Sequence, residues 1–254
     1  MKSRWPERLW IVRHGESAGN LARDLAHANR ATRIEIAARD VDVPLSPRGE
    51  AQARALGDWF ADRPQAERPQ VVLSSTYRRA QGTAELIRGA GGLAEDCGET
   101  VLDERLRERE FGILDRLTSA GIREFHPDQA ELRRAIGKFY HRPPGGESWC
   151  DVILRLRSAL DTISLHYPQK RVLIVAHQVV VLCLRYLIET LTEAELMAID
   201  AQGDVVNCGV TEYGFDPQAS SDGALRLVRY NFAAPLERRG APVTSSPDLP
   251  VAAR

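Results

Sequence analysis

Residues 9–16 read Leu-Trp-Ile-Val-Arg-His-Gly-Glu, and residues 171–177 read Arg-Val-Leu-Ile-Val-Ala-His. Each is a short apolar run that ends on a histidine. Such a run predicts a strand buried on both faces, because a strand with one wet face would alternate polar and apolar residues. A strand interior tolerates neither a guanidinium nor an imidazole without partners. Arg13, His14 and His177 are therefore expected at strand ends, with Gly15 freeing the backbone to turn. Open α/β sheets hold their ligands in the crevice outside those ends. Two histidines far apart in sequence thus converge beside an arginine, a set suited to an anion.

The rest of the chain fits around these two runs. Strand candidates at 9–13, 70–74, 100–102, 171–176, 209–215 and 225–231 alternate with helix candidates at 47–62, 78–89, 147–166 and 178–190. Ser46-Pro47 with Glu50 is a helix-start signal for the first of these helices. The alternation predicts an α/β fold of three layers, α/β/α, with a mostly parallel central sheet and helices on both faces. The last two strands flank a polar loop and read as a hairpin. Residues 115–142 are polar and helix-like, and read as a helical insertion over the crevice. The expected organisation is one domain over residues 1–232, followed by a flexible tail over 233–254.

Composition narrows the function classes. At 254 residues the chain can bury one sizeable core. Its 34 basic and 35 acidic residues set up no global field for nucleic acid or a membrane surface. Cys97, Cys150, Cys183 and Cys208 lie far apart without metal-ligand spacing, and read as reduced thiols. No apolar run has the length of a membrane span, and residues 1–8 lack the hydrophobic core of a signal. The expectation is a cytoplasmic protein with no metal, cofactor, membrane or nucleic-acid partner.

Phosphoryl transfer asks for an in-line nucleophile, a proton donor for the leaving oxygen, and positive charge around the transferred group. Neutral imidazole suits the first task, since it keeps a lone pair near neutral pH and forms a labile phosphoramidate. Arginine suits the last, because its planar fork bonds two phosphate oxygens at once. Arg13 stands beside His14. Arg79 falls in the first turn of the helix after the second strand, whereas Arg78 reads as a solvated neighbour. In the stretch 103–110, Glu104, Glu108 and Glu110 share one parity, and spacing alone does not choose among them.

Taken together these motifs resemble the signature of the histidine phosphatase superfamily, the phosphoglycerate mutase-like fold. The match runs in family order over residues 9–215: Arg-His-Gly-Glu-Ser at 13–17 with Asn20, and Asp42-Val43-Pro44-Leu45-Ser46 with Gly49. It continues with Ser74-Ser75 leading to Arg79-Ala80 and Thr83-Ala84, and Leu106-x-Glu108 leading to Phe111-Gly112. Gly146-Glu147-Ser148 and Val175-Ala176-His177 complete it. The resemblance implies a phosphohistidine on His14, with Arg13, Arg79 and His177 on the phosphoryl oxygens and Asn20 as a further contact. It assigns the proton donor to Glu108, and it implies no metal.

Gln178, where many members have glycine, looks like the bisphosphatase domain acting on fructose 2,6-bisphosphate. That domain also carries an Arg, a Lys and an Arg like Arg134, Lys138 and Arg142, which there hold a second substrate phosphate. The expected function is therefore a metal-independent phosphatase acting on a small phosphorylated metabolite. One alternative is a phosphoglycerate mutase-type phosphotransferase. It must shield its phosphohistidine and hold a carboxylate, and no segment clearly does both. The other is a catalytically silent scaffold for a phosphorylated ligand, and the intact His14, Arg79, Glu108 and His177 count against it.

Overall fold

The computed structural model describes residues 4–245. Its six strands are β1 (Arg8–Arg13), β2 (Val71–Ser74), β3 (Val101–Leu102), β4 (Arg171–Ala176), β5 (Val210–Asp216) and β6 (Ala224–Phe232). They form one sheet in the order β3-β2-β4-β1-β5-β6. The first four lie parallel to one another, while β5 runs antiparallel to β1 and β6 to β5. The sheet is thus mixed, its antiparallel edge being the expected hairpin.

Strand β1 shows why the run is almost wholly apolar. Leu9 and Ile11 join one core cluster, and Trp10 and Val12 join another on the opposite face. In β4, Val172, Ile174 and Ala176 take the first side and Leu173 and Val175 the second. Helices α6 (Trp149–His166) and α7 (Gln178–Glu189) cover the first face. Helices α2 (Pro47–Ala61) and α3 (Arg78–Gly89) cover the other. The chain leaves β1 toward one layer and β4 toward the other, which opens the crevice between their carboxyl ends.

Three helices and one helical pair were less legible. Helix α1 (Ala18–Ala28) starts at a capping box of Ser17 and Asn20, and α8 (Glu193–Gln202) at one of Thr192 and Glu195. The insertion consists of α4 (Ser119–Phe125) and α5 (Pro127–Tyr140), the latter broken by Gly137 at φ 84°. It packs on the loop before α2: Arg116 donates to the carbonyls of Ile36 and Ala38, each at 3.0 Å. In the stretch expected to be a flexible tail, α9 (Ala234–Arg238) seats Leu236, fully buried, in the core beside α2. Residues 246–254 of that stretch lie outside the described residues.

Candidate active site

The pairing of β1 with β4 sets Arg13 opposite Ala176, so His14 and His177 follow on adjacent strands. The His14 N–H donates to the Ala176 carbonyl at 2.9 Å, extending the ladder by one rung. Both histidines are fully buried, and their rings meet edge to face with centroids 5.1 Å apart. His177 is also the N-cap of α7, so the positive end of that helix faces the crevice.

Hydrogen bonding fixes the His14 tautomer. Its Nδ1 lies 2.7 Å from the Gly15 carbonyl oxygen, which can only accept, so Nδ1 carries the proton. Nε2 then holds a lone pair, and Arg79 Nε donates to it at 3.1 Å. The remaining fork of Arg79 reaches Asp40. Arg13 is fully buried and donates to the Val205 carbonyl. His177 Nε2 pairs with the Ser75 hydroxyl at 2.8 Å, just beyond β2. Tyr77 meets His177 edge to face and donates from Oη to Glu110 at 2.8 Å. Burial, with the Glu110 carboxylate beside it, holds that phenol well above its ordinary value and keeps it protonated.

Structure separates the three glutamates that spacing leaves equal. Glu104 and Glu110 are exposed, and Glu108 is buried. Glu108 Oε1 accepts from the Arg109 N–H at 2.8 Å and Oε2 from the Val179 N–H at 3.4 Å. The second contact ties the carboxyl to the first turn of α7, next to His177. Glu147 frames this loop by accepting from the Glu110 N–H at 3.1 Å and from Arg107 and Arg155. Burial pushes the Glu147 carboxyl up, but the hydrogen bond and charge of Arg155 outweigh it and hold the group below its ordinary value.

The loop carrying His14 is braced from three sides. A Cβ on Gly15 would lie 2.4 Å from the Gly49 carbonyl oxygen, and one on Gly49 only 1.9 Å from that of Glu16. Backbone meets backbone here, which explains both glycines. Thr83 of α3 accepts from the Gly15 N–H at 3.1 Å, and Gln52 Oε1 accepts from the Glu16 N–H at 2.8 Å. Gln52 Nε2 donates to the Pro242 carbonyl and the Thr244 hydroxyl, both at 2.8 Å. Thr244 donates in turn to Asn207 Oδ1 at 3.0 Å, and Asn207 Nδ2 to the His14 carbonyl at 3.1 Å. The segment at 242–244 thus fastens both flanks of Gly15.

The expected binding residues are not all placed as their spacing suggests. Asn20 is buried in the α1 capping box, its Oδ1 accepting from the N–H and hydroxyl of Ser17. Only its amide nitrogen is suited to an oxyanion. Arg134 and Lys138 do not share a helix face, because Gly137 breaks α5 between them. Arg134 is exposed and paired with Glu131, and Arg142 is exposed beside Asp151. Lys138 turns inward to Asp200 at 2.5 Å.

Lys138 finds other cations there. It lines a cavity of about 430 Å³ with Arg123, Arg133, Arg134 and His141, walled by Leu114, Ile122 and Ala130. Arg133 and Lys138 also line a narrower recess with Arg109, Trp149, Gln178, Val179 and Asp200. The recess thus reaches the helix turn that holds Glu108. Burial, reinforced by Arg133, lowers Arg109 to about 10. Burial lowers Arg133 and Lys138 as well, and His141 falls through burial and the charges of Arg109 and Arg133. Arg109, Arg133 and His141 carried no sequence signal that set them apart from their charged neighbours.

Among the described residues no helix is long and apolar enough to cross a membrane, and no group of three His, Cys, Asp or Glu side chains is placed to hold a metal ion.

Comparison with known proteins places these features in context. The family model described as "Histidine phosphatase superfamily (branch 1)" matches residues 9–228. The chain is similar to a probable phosphoglycerate mutase, GpmB, of Photorhabdus laumondii, 31% identical over 180 residues that cover 70% of this chain and 72% of the relative. It also resembles the 6-phosphofructo-2-kinase/fructose-2,6-bisphosphatase of Caenorhabditis elegans, 30% identical over 70% of this chain and 33% of the relative. Among solved structures it is similar to mycobacterial glucosyl-3-phosphoglycerate phosphatase in complex with inorganic phosphate. That match has a TM-score of 0.67 and 26% identity, covering 90% of this chain and 99% of the other.

Proposed function

This chain belongs to the histidine phosphatase superfamily and is a phosphatase, and on that footing we propose that it hydrolyses phosphate monoesters without a metal, using His14 as nucleophile. The observation that carries the assignment is the His14 tautomer. Its Nε2 keeps a lone pair, which accepts from the Arg79 guanidinium and is given over to phosphorus on attack, while Nδ1 is spent on Gly15. Nε2 attacks phosphorus in line with the ester oxygen, and the P–O bond breaks as the N–P bond forms. Arg13, Arg79, His177 and the first turn of α7 stabilise the charge spread over the equatorial oxygens. Glu108 gives its proton to the departing alkoxide. As a carboxylate it then takes a proton from the water that opens the phosphohistidine, which returns the enzyme to its starting state.

The substrate reading follows from the cavity. The Asn20 amide nitrogen meets a phosphoryl oxygen. The leaving group carries a second anion, received by Lys138 together with Arg133, with Arg134 at the rim. Its apolar part lies against Leu114 and Ile122. The proposal includes a single domain, a cytoplasmic setting and no nucleic-acid partner.

The test is to incubate the enzyme with substrate, quench in alkali, and look for an acid-labile, base-stable phosphoryl group. Wild type should trap it and release inorganic phosphate with or without a chelator, and His14→Ala should do neither. Glu108→Gln should slow esters with poor alkoxide leaving groups by on the order of a hundredfold, and activated aryl esters far less. Turnover by His14→Ala refutes the mechanism. Interconversion of phosphoglycerates without net phosphate release makes the enzyme a mutase.

A further inference from the structure

Asp40 occupies the recognition fork of Arg79. The Nη1 of Arg79 donates to the Asp40 carbonyl at 2.7 Å and to Oδ1 at 2.9 Å, and Nη2 donates to Oδ2 at 3.3 Å. This is the two-oxygen geometry with which a guanidinium holds a phosphoryl group. The same arginine reaches His14 Nε2 through its Nε, so Asp40 and the nucleophile share one guanidinium. Arg79 is nearly inaccessible, whereas the Asp40 carboxylate is about a quarter exposed, at 24%. Asp40 opens a single 3₁₀ turn, Asp40–Asp42, on the loop that Arg116 secures through Ile36 and Ala38. The carboxylate is therefore delivered to the site by a loop that is itself held.

We propose that Asp40 is a built-in competitor for the phosphoryl group, one that lowers the affinity of Arg79 for inorganic phosphate and so moves substrate selection onto the leaving group. The proposal rests on the reading of Arg79 as a phosphoryl ligand. A carboxylate on the fork cancels its charge and takes its donors. Any phosphoryl group must displace those oxygens or share the arginine with a like charge. The penalty falls on the shared phosphoryl end of every ligand. Free phosphate has nothing with which to offset it. An ester whose leaving group is held by Arg133 and Lys138 does; the affinity ratio of ester to product is unchanged, but a held ester can still occupy the site at concentrations at which free phosphate no longer does. Binding energy from the remote part of the substrate is then what installs the phosphoryl group on the fork.

The experiment measures inorganic phosphate as a competitive inhibitor of aryl phosphate hydrolysis in wild type, Asp40→Asn, Asp40→Ala, Asp42→Asn and Arg79→Ala. Asp40→Asn keeps an acceptor on the fork and removes the charge, so its phosphate inhibition constant should fall about tenfold, the size of one charge-assisted hydrogen bond. Asp40→Ala should show a fall in the same direction. Asp42→Asn, whose partner is the exposed Arg39, should match wild type. Unchanged or weaker phosphate binding in both Asp40 variants, with their melting temperatures preserved, overturns the proposal and leaves Asp40 as a bracket that orients Arg79. If Arg79→Ala binds phosphate as wild type does, the reading of Arg79 itself has failed.

Discussion

Replacing Gln52 by leucine should cost both stability and rate, and the hydrogen bonds say how much. Gln52 is fully buried and makes three bonds: from the Glu16 N–H, to the Pro242 carbonyl and to the Thr244 hydroxyl. Leucine fills similar space, so cavity formation is a minor contribution. The buried Glu16 N–H is left without its acceptor, at about 1–3 kcal/mol. Pro242 is exposed and Thr244 half-buried, so water repays part of the other two bonds, leaving about 1 kcal/mol. The sum is about 2–4 kcal/mol, or a melting temperature lower by roughly 4–16 °C for a chain of this size. Because Glu16 and His14 flank Gly15, kcat should fall more than KM rises.

Urea unfolding and steady-state kinetics on Gln52→Leu, Thr244→Val and the double variant test the argument as a cycle. Thr244→Val removes only the distal bonds, so it should cost less than half as much. The double variant should fall short of additivity, because the first change has already removed a bond the second would break. A cost under about 0.5 kcal/mol for Gln52→Leu, or strict additivity, would refute the bracing of the nucleophile loop.

Two further outcomes follow. Arg133→Ala or Lys138→Ala should raise KM for a doubly anionic ester and leave a small aryl phosphate nearly unchanged, a loss of uniform binding, whereas exposed Arg134→Ala should do less; steady-state kinetics on paired substrates checks this. Glu147 has a folded pKa below its ordinary 4.5, so its contribution to stability is present above that pH and is lost as pH falls through the folded value. The stability gap between wild type and Glu147→Gln, read by urea unfolding, should therefore be widest near neutrality and narrow below about pH 4.5; a constant gap contradicts the assignment.

Some of the molecule was legible because its physics is local. The apolar runs at 9–13 and 171–176 could be nothing other than doubly covered strands, and Ser46-Pro47 is a helix start wherever it occurs. The convergence of His14 and His177 followed from two strands ending alike. Other features depended on contacts that a linear reading does not contain. Helix α8 carries a capping box at Thr192 and Glu195, but no clear apolar stripe stands behind it to mark a helix in the sequence. Helical spacing placed Arg134 and Lys138 on one face, but a glycine with positive φ intervenes; both still line one cavity, and Arg133, which carried no signal, lines it and the narrower recess with Lys138. Asp40 sits in a loop with no periodicity, and only the fold brings it to Arg79. Leu236 looked like part of a polar tail until a core beside α2 was there to receive it.

The contact between the insertion and the loop before α2 bears on how such an enzyme acquires a new substrate. Thr118 donates to the Ala31 carbonyl at 2.7 Å, the Ile34 N–H to the Arg116 carbonyl at 2.9 Å, and a Cβ on Gly121 would lie 2.0 Å from the Thr32 carbonyl oxygen. Two segments separated by two strands and two helices thus pack as one structural unit. A chimera that imports a relative's residues 115–142 alone would leave Ile36 and Ala38 without Arg116 and would unseat the loop that carries Asp40. Exchange of both segments together keeps both sides of these contacts in the transplant.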